Sequence, residues 1–407
     1  MSGNPFPEQW SRRTLRELAT INYGRDPSAI LNADGPYPVY GTSGRERLGT
    51  AFLYDGDSII LGRKGTIDRV HYATGRFWTI DTAYFLSKFK DAIPKWLFYF
   101  LASIDLRSLN EATGVPSLSR DLLYKINVPT PPGSEQSKIA EVLSTVDRAI
   151  EQTDALIAKQ RRITTGLMQD ILTRGIDEHG NLRCEQTHEF KDSRRGRIPE
   201  EWHVSLLDSL ALRGSGHTPN KLRPEYWNGG IKWVSLADSR RLDSLLIQET
   251  DKEISELGLK NSSAVLHPKG TVILSRDAGV GKSAILAADM AVSQHFMAWR
   301  CKPQKLDNVY LYYWLQRDKP KFEGIASGST IVTIGLQFFR EYEIAAPTSV
   351  AEQRRISEVL CAADRAIDQS RLRLGKLIRL KTALMQDLLT SDRRVTALLT
   401  EPEEASA

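Results

Sequence analysis

The segment of this chain best suited to chemistry follows a short run of aliphatic residues. It reads Asp277-Ala278-Gly279-Val280-Gly281-Lys282-Ser283. In a Gly-x-x-x-x-Gly-Lys-Ser/Thr loop, backbone N–H groups cradle nucleotide phosphates and the lysine reaches the β- and γ-phosphates. Here Arg276 occupies the place of the first glycine, and no acidic strand end for magnesium is evident downstream. The lysine and serine alone therefore do not predict a nucleotide site.

Other short motifs also lack the residues that their chemistry needs. Asn4-Pro5-Phe6-Pro7 shares letters with the Asn-Pro-Pro-aromatic motif of adenine methyltransferases, but no strand or glycine-rich cofactor loop precedes it. Gly214-Ser215-Gly216 does not continue to the third glycine of a dinucleotide-binding fingerprint. Neither His-Glu-x-x-His nor Gly-x-Ser-x-Gly occurs, and His267 and His295 are isolated, which favours structural roles. We therefore expect a binding protein with no catalytic residues, no metal and no cofactor of its own.

Composition indicates a soluble globular protein of two or three domains. The 407 residues are 41% hydrophobic and 26% charged, and no apolar run approaches the ~18–20 residues of a membrane span. The N-terminus has no apolar signal-peptide core, so we expect a cytoplasmic protein without a membrane partner. Three widely spaced cysteines suggest neither a disulfide framework nor a zinc site. The net charge of +5 permits a nucleic-acid partner without requiring one.

A long internal repeat fixes the architecture. Glu135-Gln136 recurs as Glu352-Gln353, and Leu167-Met168-Gln169-Asp170 recurs as Leu384-Met385-Gln386-Asp387, at a constant offset of 217 residues. Apolar residues within both copies recur every three or four positions, which predicts two helices of about 38 residues and ~57 Å. We expect these stripes to pack on each other, with self-association between chains as the rival interpretation. The predicted packing positions are Ile139, Val142, Leu143, Val146, Ile150 and Leu156 in the first copy, and Ile356, Val359, Leu360, Ala363, Ile367 and Leu374 in the second.

The polar parts of the repeat and of its surroundings are interpreted as surface. Charged pairs matched between the copies are expected on the outer face, either solvated or docking another protein; they are Glu141/Glu358, Asp147/Asp364 and Arg148/Arg365. Residues 175–197 have three glycines and no helical period, which predicts a linker. Its basic run Ser193-Arg194-Arg195-Gly196-Arg197 is interpreted as solvated, with phosphate contact as the alternative. The acidic tail from Glu401 is expected to be disordered.

The segments before the helices share a frame but differ in length. Pro7-Glu8-Gln9-Trp10 matches Pro199-Glu200-Glu201-Trp202 at an offset of 192, so the second half holds 25 more residues. In both halves a buried strand is expected to lead into a glycine-containing basic loop. Trp96–Leu101 parallels Tyr310–Leu315, an aromatic helix that we interpret as core rather than as a base-stacking platform. Two domains with one frame and different surfaces suggest two related readers of different targets.

Several phrases in this order resemble the specificity subunits of type I restriction–modification systems, the HsdS family. They are Tyr37-Pro38-Val39-Tyr40-Gly41-Thr42-Ser43-Gly44, Gly216-His217-Thr218-Pro219, Tyr226–Val234, and Pro129–Gln136 repeated at Pro347–Gln353. The resemblance implies an α+β fold with two mixed α/β target-recognition domains, held apart by an antiparallel pair of long coiled-coil helices. Each domain would read one half of a bipartite site in double-stranded DNA, in a bacterium or archaeon. A stand-alone DNA-binding regulator or architectural protein is the alternative.

The same resemblance implies partners and boundaries. Two methyltransferase subunits would carry S-adenosylmethionine and methylate adenine, and restriction subunits would use ATP and Mg, while this chain is not an enzyme. The expected segments are residues 1–130 (first recognition domain), 131–174 (spacer helix), 175–197 (linker), 198–346 (second recognition domain), 347–392 (spacer helix) and 393–407 (flexible tail).

At ~57 Å and ~3.4 Å per base pair, the helices bound the domain separation to about 17 base pairs.

Reading DNA requires hydrogen-bonding groups at base edges and cations at phosphates. We predict such residues on loops rich in glycine and small residues: Tyr40, Thr42, Ser43, Arg45, Arg63, Lys64 and Thr66 in the first domain, and His217, Thr218, Lys221, Arg276, Lys282, Ser327 and Ser329 in the second. Arg63 and Arg276 are favoured because they occupy corresponding places in the two halves. The competing interpretation of this pair is structural: an arginine that pins its loop through backbone carbonyls.

Overall fold

The structure is a computed structural model that describes residues 9–327 and 333–399. The motif at Asn4–Pro7, the acidic tail from Glu401 and Ser329 lie outside the described residues. The contacts divide the chain into two compact units: residues 1–155 with 371–407 form unit 1, and residues 156–370 form unit 2. Both boundaries fall inside a long helix, so each unit takes one end of each helix of the repeat.

Unit 1 opens with ten strands and three short helices before the first long helix. The elements are β1 (Ser11–Thr14), α1 (Leu15–Leu18), β2 (Thr20–Tyr23), β3 (Tyr37–Gly41), β4 (Gly44–Gly49), β5 (Tyr54–Asp55), β6 (Ser58–Gly62), β7 (Val70–Ala73), β8 (Arg76–Thr79), β9 (Ala83–Ser87), α2 (Pro94–Ser103), α3 (Arg120–Tyr124), β10 (Asn127–Thr130) and α4 (Gly133–Arg174).

Unit 2 continues with a similar succession and ends in the second long helix. The elements are β11 (Phe190–Lys191), β12 (Ile198–Pro199), β13 (Trp202–Leu206), α5 (Leu207–Leu210), β14 (Ala211–Ser215), β15 (Trp227–Val234), β16 (Leu246–Ile247), β17 (Lys252–Ile254), α6 (Glu256–Lys260), β18 (Leu266–His267), β19 (Val272–Ser275), β20 (Ser283–Leu286), β21 (Met290–Val292), β22 (Phe296–Cys301), α7 (Asn308–Ser327), α8 (Leu336–Arg340), β23 (Glu343–Pro347) and α9 (Val350–Leu389).

The two units share one strand topology. Unit 1 has sheets ordered β2-β9-β6-β7 and β4-β3-β8-β5, and unit 2 has β14-β22-β19-β20-β16 and β17-β15-β21-β18. The parallel pair β3–β8 recurs as β15–β21, and β1–β10 recurs as β13–β23. Strand β16 has no counterpart among the described residues of unit 1, because it lies in the longer connection from β15 to β17 and adds an edge strand. The extra length predicted for the second half is therefore partly accommodated at a sheet edge, where pairing with one neighbour suffices.

The central strands and the aromatic helices form the cores, as the sequence predicted. Every residue of β6 and of β19 is buried, and each strand leads directly into a glycine-containing basic loop. Helix α2 buries Trp96 and Tyr99, and α7 buries Tyr310 and Trp314, all to within 1% exposure. These rings belong to the hydrophobic cores of their units, so the interpretation of the aromatic segments as core is confirmed.

The long helices form as predicted, but only some of the predicted packing positions on them are buried. Helix α4 spans 42 residues and α9 spans 40, and Gly175 follows α4 with a positive φ of 68°, as expected of a helix stop. Leu156 and Val359 were predicted as packing positions, but they are 44% and 37% exposed, so the prediction is wrong for these two residues. Buried members of the predicted set lie in the domain cores, where globular side chains cover the helix ends: Ile139, Leu143, Ile356 and Leu360. Ile367 is buried as well, whereas the half-buried members are Val142, Val146, Ile150, Ala363 and Leu374.

The start of each long helix is tied to its domain by a glutamine of the repeat. Gln136 accepts a hydrogen bond from the Ile93 N–H at 2.7 Å and donates to the carbonyls of Asp91 and Pro131. In unit 2, the buried Gln353 repeats all three bonds with the Asp307 N–H and the carbonyls of Lys305 and Pro347. The recurrence of Glu-Gln in the repeat is thus explained by an anchor of the same geometry in both units.

The matched aspartates have a structural task that the sequence did not indicate. The Tyr99 hydroxyl donates to Asp147 at 2.7 Å, and the Tyr313 hydroxyl donates to Asp364 at 2.8 Å. Burial, together with the carboxylate of Asp147, raises the pKa of Tyr99, so its hydroxyl remains a donor. The expectation of an outer face is wrong for this pair, because each carboxylate joins the long helix to the aromatic helix. Other matched residues are exposed: Glu141, Arg148, Glu358 and Arg365.

Residues 175–197 are not a plain linker. Strand β11 pairs with β12, and the Arg195 side chain is only 10% exposed, where it forms an ion pair with Asp318. Its guanidinium also lies 5.3 Å from the ring of Trp314. The prediction of a solvated basic run is therefore wrong for Arg195, because a buried carboxylate on α7 requires a cationic partner.

A second buried ion pair joins the same segment to the second long helix within unit 2. Arg183 pairs with Glu352 at the start of α9, with Nη2 3.1 Å from Oε2 and both side chains under 10% exposed. The Trp202 indole donates to the same carboxylate at 3.2 Å. A Cβ on Gly175 would lie 2.7 Å from both the glutamate and the tryptophan ring, so this glycine is required by space as well as by its φ. Unit 1 has a counterpart, in which Arg394 pairs with Glu135.

Removing one member of the Arg183–Glu352 pair should destabilise unit 2. We expect Arg183→Ala to lower the free energy of unfolding by about 3 kcal/mol, because Glu352 would remain buried without its cation. Urea unfolding followed by tryptophan fluorescence measures the change. The matched control is Arg197→Ala: Arg197 pairs with Glu185 at 2.6 Å but is 50% exposed, so its loss should cost less than about 1 kcal/mol. Equal effects of the two substitutions would contradict the assignment.

Candidate nucleic-acid interface

In unit 1, the hairpin of β3 and β4 divides the predicted residues into supporting and exposed ones. The Tyr40 ring packs edge-to-face on Phe77 with centroids 5.8 Å apart, so it belongs partly to the core. Thr42 is half-buried, and its carbonyl bonds to a histidine ring. Ser43 and Arg45 are exposed at the turn and at the start of β4. This hairpin therefore offers a hydroxyl and a guanidinium to a ligand.

The second predicted element of unit 1 is the loop between β6 and β7. The Arg63 Nη1 group donates to the Asp81 carbonyl at 3.1 Å, which is the loop-pinning bond of the structural alternative. Lys64 is exposed, while its backbone pairs with Ser117 of a neighbouring loop. Thr66 is half-buried in an adjoining cleft. Backbone hydrogen bonds thus fix the loop, with Lys64 exposed and Arg63 half-buried.

In unit 2, the loop that follows β14 carries two exposed members of the predicted set. His217 and Lys221 are exposed, and the His217 carbonyl accepts a hydrogen bond from the Trp233 indole at 3.1 Å. The Thr218 hydroxyl donates to the Gln294 side chain at 2.6 Å. Leu222 was missed although it is 88% exposed between two cations; an isolated leucine in a polar loop is its only sequence signal.

In the loop after β19, both predicted cations lie beside other groups of unit 2. The Lys282 ammonium donates to the Ser239 carbonyl at 3.0 Å and to its hydroxyl at 3.1 Å. The Arg276 side chain is only 19% exposed, and its Nε lies 3.8 Å from the Asp277 carboxylate. Asp277 in turn accepts a hydrogen bond from the Thr333 hydroxyl and contacts the His295 ring. The lysine of the phosphate-loop lookalike is therefore bound within the fold, whereas Arg276 lies beside a carboxylate with its Nε buried and without a hydrogen-bond partner among the described residues.

The remaining predictions for unit 2 concern the end of α7. Ser327 is the last residue of that helix, and Ser329 lies outside the described residues.

One cluster of unit 1 was missed because its members are distant in sequence. The guanidinium carbons of Arg63 and Arg120 lie 5.2 Å and 5.0 Å from the centroid of the Tyr23 ring. Tyr23 ends β2 and is 46% exposed. Arg120 begins α3, far along the chain from both partners. No local spacing rule joins these three residues, whose proximity depends on the sheet and the loop after it.

In both units a histidine supports a candidate loop from beneath. The His71 Nε2 atom lies 3.2 Å from the Thr42 carbonyl, and a Cβ on Gly44 would lie 3.2 Å from the same ring. In unit 2, the Nε2–H group of His267 donates to the Ser215 carbonyl at 3.1 Å, and its ring lies against Gly214. The glycines admit the rings, and the rings fix the loop ends. His267 is therefore structural, as the sequence suggested.

The described residues contain no group of three or more His, Cys, Asp or Glu side chains arranged to hold a metal ion. Across residues 9–327 and 333–399, no helix has the length and apolar character needed to cross a membrane.

Comparison with known proteins identifies the family. Residues 7–159 and 199–375 match the model of the type I restriction modification DNA specificity domain, so the chain belongs to this family. It is 24% identical over 431 residues to the type I restriction enzyme MjaVIII specificity subunit of Methanocaldococcus jannaschii, which covers 98% of this chain and 96% of that protein. It is also 31% identical over 186 residues to the MjaIX specificity subunit of the same organism, over 45% of this chain and 42% of that protein.

Solved structures support the fold. The type I restriction–modification S subunit from M. genitalium matches with a TM-score of 0.63 at 16% identity, over 93% of this chain and 96% of that one. A chain from a study of complex assembly and conformational transition of the type I R–M system matches with a TM-score of 0.59 at 17% identity, over 95% of this chain and 99% of that one. The family resemblance and the predicted fold class are therefore confirmed.

The buried His267 predicts a pH dependence of stability. Burial lowers the pKa of His267, although its hydrogen bond to Ser215 raises it in part. Between the folded-state pKa and about 6.5, the unfolded chain binds the proton more readily than the folded chain does. This histidine therefore costs no stability above about pH 6.5 and increasingly destabilises unit 2 as the pH falls below it.

His267→Gln should remove that part of the pH dependence. Urea midpoints of the wild type and the variant, measured above and below about pH 6.5, test the expectation. The gap between wild type and variant should shift in favour of the variant at the lower pH. Parallel pH profiles for the two proteins would contradict it.

Proposed function

We propose that this chain is the DNA-reading subunit of a type I restriction–modification complex, with each unit reading one half of a bipartite, asymmetric site. The observation that carries the proposal is that the two units share one structural frame but differ in their loops. The glutamine anchors and the tyrosine–aspartate bonds recur in both units at the same geometry. The loops that carry exposed polar and basic groups differ in length, in residues and in local partners.

The divergence of the loops has a physical consequence. The Ser43–Arg45 turn of unit 1 presents a hydroxyl and a guanidinium, whereas the loop after β14 in unit 2 presents His217 and Lys221. Arginine can donate two hydrogen bonds to the O6 and N7 atoms of guanine, and short hydroxyls contact several base edges. Different donors on one frame are suited to different half-site sequences.

The repeated frame supports two identical partners. Glu141 and Arg148 of α4 recur as Glu358 and Arg365 of α9, and all four are exposed. We propose that each set docks one methyltransferase subunit, which carries S-adenosylmethionine and methylates adenine in one half-site. Restriction subunits that use ATP and Mg would complete the complex, and this chain would supply specificity without catalysis.

Methylation mapping tests the proposal. The chain is expressed with the modification subunits of its host in a strain that lacks their methylation, and single-molecule sequencing maps N6-methyladenine. We expect one bipartite motif with a fixed spacer. Arg45→Ala should relax or weaken the half-site read by unit 1 only, and Lys221→Ala should affect only the other unit's half-site or the overall level of methylation. Arg197→Ala, remote from both loops in sequence, is the control.

The outcomes separate the candidate functions. Methylation that requires this chain but shows no bipartite motif would contradict two-part reading. DNA binding without a co-purifying methyltransferase, and without methylation, would instead support a stand-alone DNA-binding regulator.

We also propose that the long helices set the spacer. Deleting one helical turn, about four residues at Lys159–Arg162 of α4, should change the mapped spacer or abolish methylation while the half-site sequences stay the same. The matched control replaces the same four residues with alanine, which keeps the helix length and should keep the spacer. A deletion that alters half-site preference and leaves the spacer unchanged would refute this role.

A further inference from the structure

Two arginines of unit 1 converge on one tyrosine. Tyr23 closes β2 with nearly half of its surface exposed, and the guanidinium carbons of Arg63 and Arg120 lie 5.2 Å and 5.0 Å from its ring centroid. The two carbons are therefore at most about 10 Å apart, which is about one Debye length at 0.1 M salt. The two positive charges repel each other at this distance, although each is attracted by the ring.

No carboxylate neutralises this cluster within the described residues. Neither Arg63 nor Arg120 has an acidic oxygen within ion-pair distance in residues 9–327 and 333–399. Arg63 uses one donor on the Asp81 carbonyl, and the Nε of Arg120 is buried without a hydrogen-bond partner in the described part of the chain. Charged donors held in this state are stabilised by an anion.

A nearby arginine shows the contrasting arrangement. The guanidinium carbon of Arg16 lies 4.4 Å from the Tyr124 centroid, so it also stacks on a tyrosine. Its Nη2 atom lies 3.7 Å from the Asp121 carboxylate. Arginine on tyrosine is thus found in the same unit with its charge partnered, which makes the unpartnered pair around Tyr23 distinctive.

We propose that Tyr23, Arg63 and Arg120 form a clamp for the DNA phosphate backbone in unit 1. The proposal rests on the proposed DNA-reading function and adds the backbone contact that positions the unit. A phosphodiester supplies the missing negative charge, and guanidinium groups bind phosphate oxygens with charge-assisted hydrogen bonds. Phosphate contacts carry no sequence information themselves, and they fix the register in which neighbouring loops meet the bases.

The described residues of unit 2 form no equivalent clamp, so the two units differ at this place. The strand matching β2 ends at Ser215 instead of a tyrosine, and the helix matching α3 begins at Leu336 instead of an arginine. Arg276, at the place of Arg63, lies beside the carboxylate of Asp277. We therefore expect unit 1 to contribute this sequence-independent attraction to DNA, which unit 2 does not duplicate.

Salt dependence measures the clamp without knowledge of the target site. The full chain, purified with its modification subunits, is titrated against a fluorescein-labelled duplex of random sequence at several salt concentrations. The slope of log K against log salt is negative, and each lost phosphate contact reduces its magnitude by about 0.9. We expect Arg63→Ala and Arg120→Ala each to reduce the magnitude of the slope by that amount and to weaken binding about tenfold at low salt.

The controls separate charge from structure. Arg16→Ala removes a stacked arginine whose charge is already partnered, so the slope should stay at the wild-type value. Arg120→Lys keeps the charge and should keep the slope, and Arg120→Gln keeps the side-chain stem if the alanine variant fails to fold. Tyr23→Phe keeps the ring and should bind as the wild type does, whereas Tyr23→Ala should weaken binding.

The results that overturn the clamp are distinct from those that overturn the function. A wild-type slope in folded Arg63→Ala and Arg120→Ala or Arg120→Gln variants would refute the clamp while leaving DNA reading intact. An equal loss of slope in Arg16→Ala would also refute it, because general positive charge would then suffice. A wild-type complex that binds no duplex even at low salt would refute the proposed function itself.

Discussion

The buried side-chain amide at the start of each long helix is the interaction on which the rest of this structure depends. The side-chain oxygen of Gln353 accepts a hydrogen bond from the Asp307 N–H group, and its amide nitrogen donates to the carbonyls of Lys305 and Pro347. It therefore joins three segments: the strand before the helix, the connection into the aromatic helix, and the long helix. Burying the amide without these hydrogen bonds would cost free energy of folding. The bonds therefore hold the three segments in one arrangement. Gln136 imposes the same condition on unit 1.

This anchor explains which parts of the two units remained alike. The tyrosine–aspartate bond lies about three turns further along each helix and holds the same aromatic helix that the glutamine positions. Buried carboxylates at the helix starts, Glu135 and Glu352, must each find a cation, and they take it from segments that follow the other long helix. Loop residues face no such condition, so an added edge strand such as β16 is tolerated.

The sequence predicted what periodicity and repetition can express. The offset of 217 residues fixed the two long helices, and the aliphatic runs predicted the central strands and the loops after them. It did not predict partners that are distant in sequence. Arg183 and Arg195 looked like members of a polar linker because composition does not show that Glu352 and Asp318 are buried opposite them. For the same reason, Asp147 was assigned to the surface and the neighbours of Tyr23 were not recognised.

The candidate site shows how equivalent positions acquire different chemistry. Arg63 follows β6 and Arg276 follows β19, the corresponding central strands of the two units, and the backbone N–H of each donates to a carbonyl of a neighbouring segment. The residue after Arg63 is a lysine, whereas the residue after Arg276 is an aspartate whose carboxylate lies beside the guanidinium. A carboxylate at that distance competes directly with phosphate for the arginine, and a lysine reinforces its attraction for an anion. One neighbouring side chain thus gives two equivalent arginines different electrostatic surroundings, within a strand frame that the two units share.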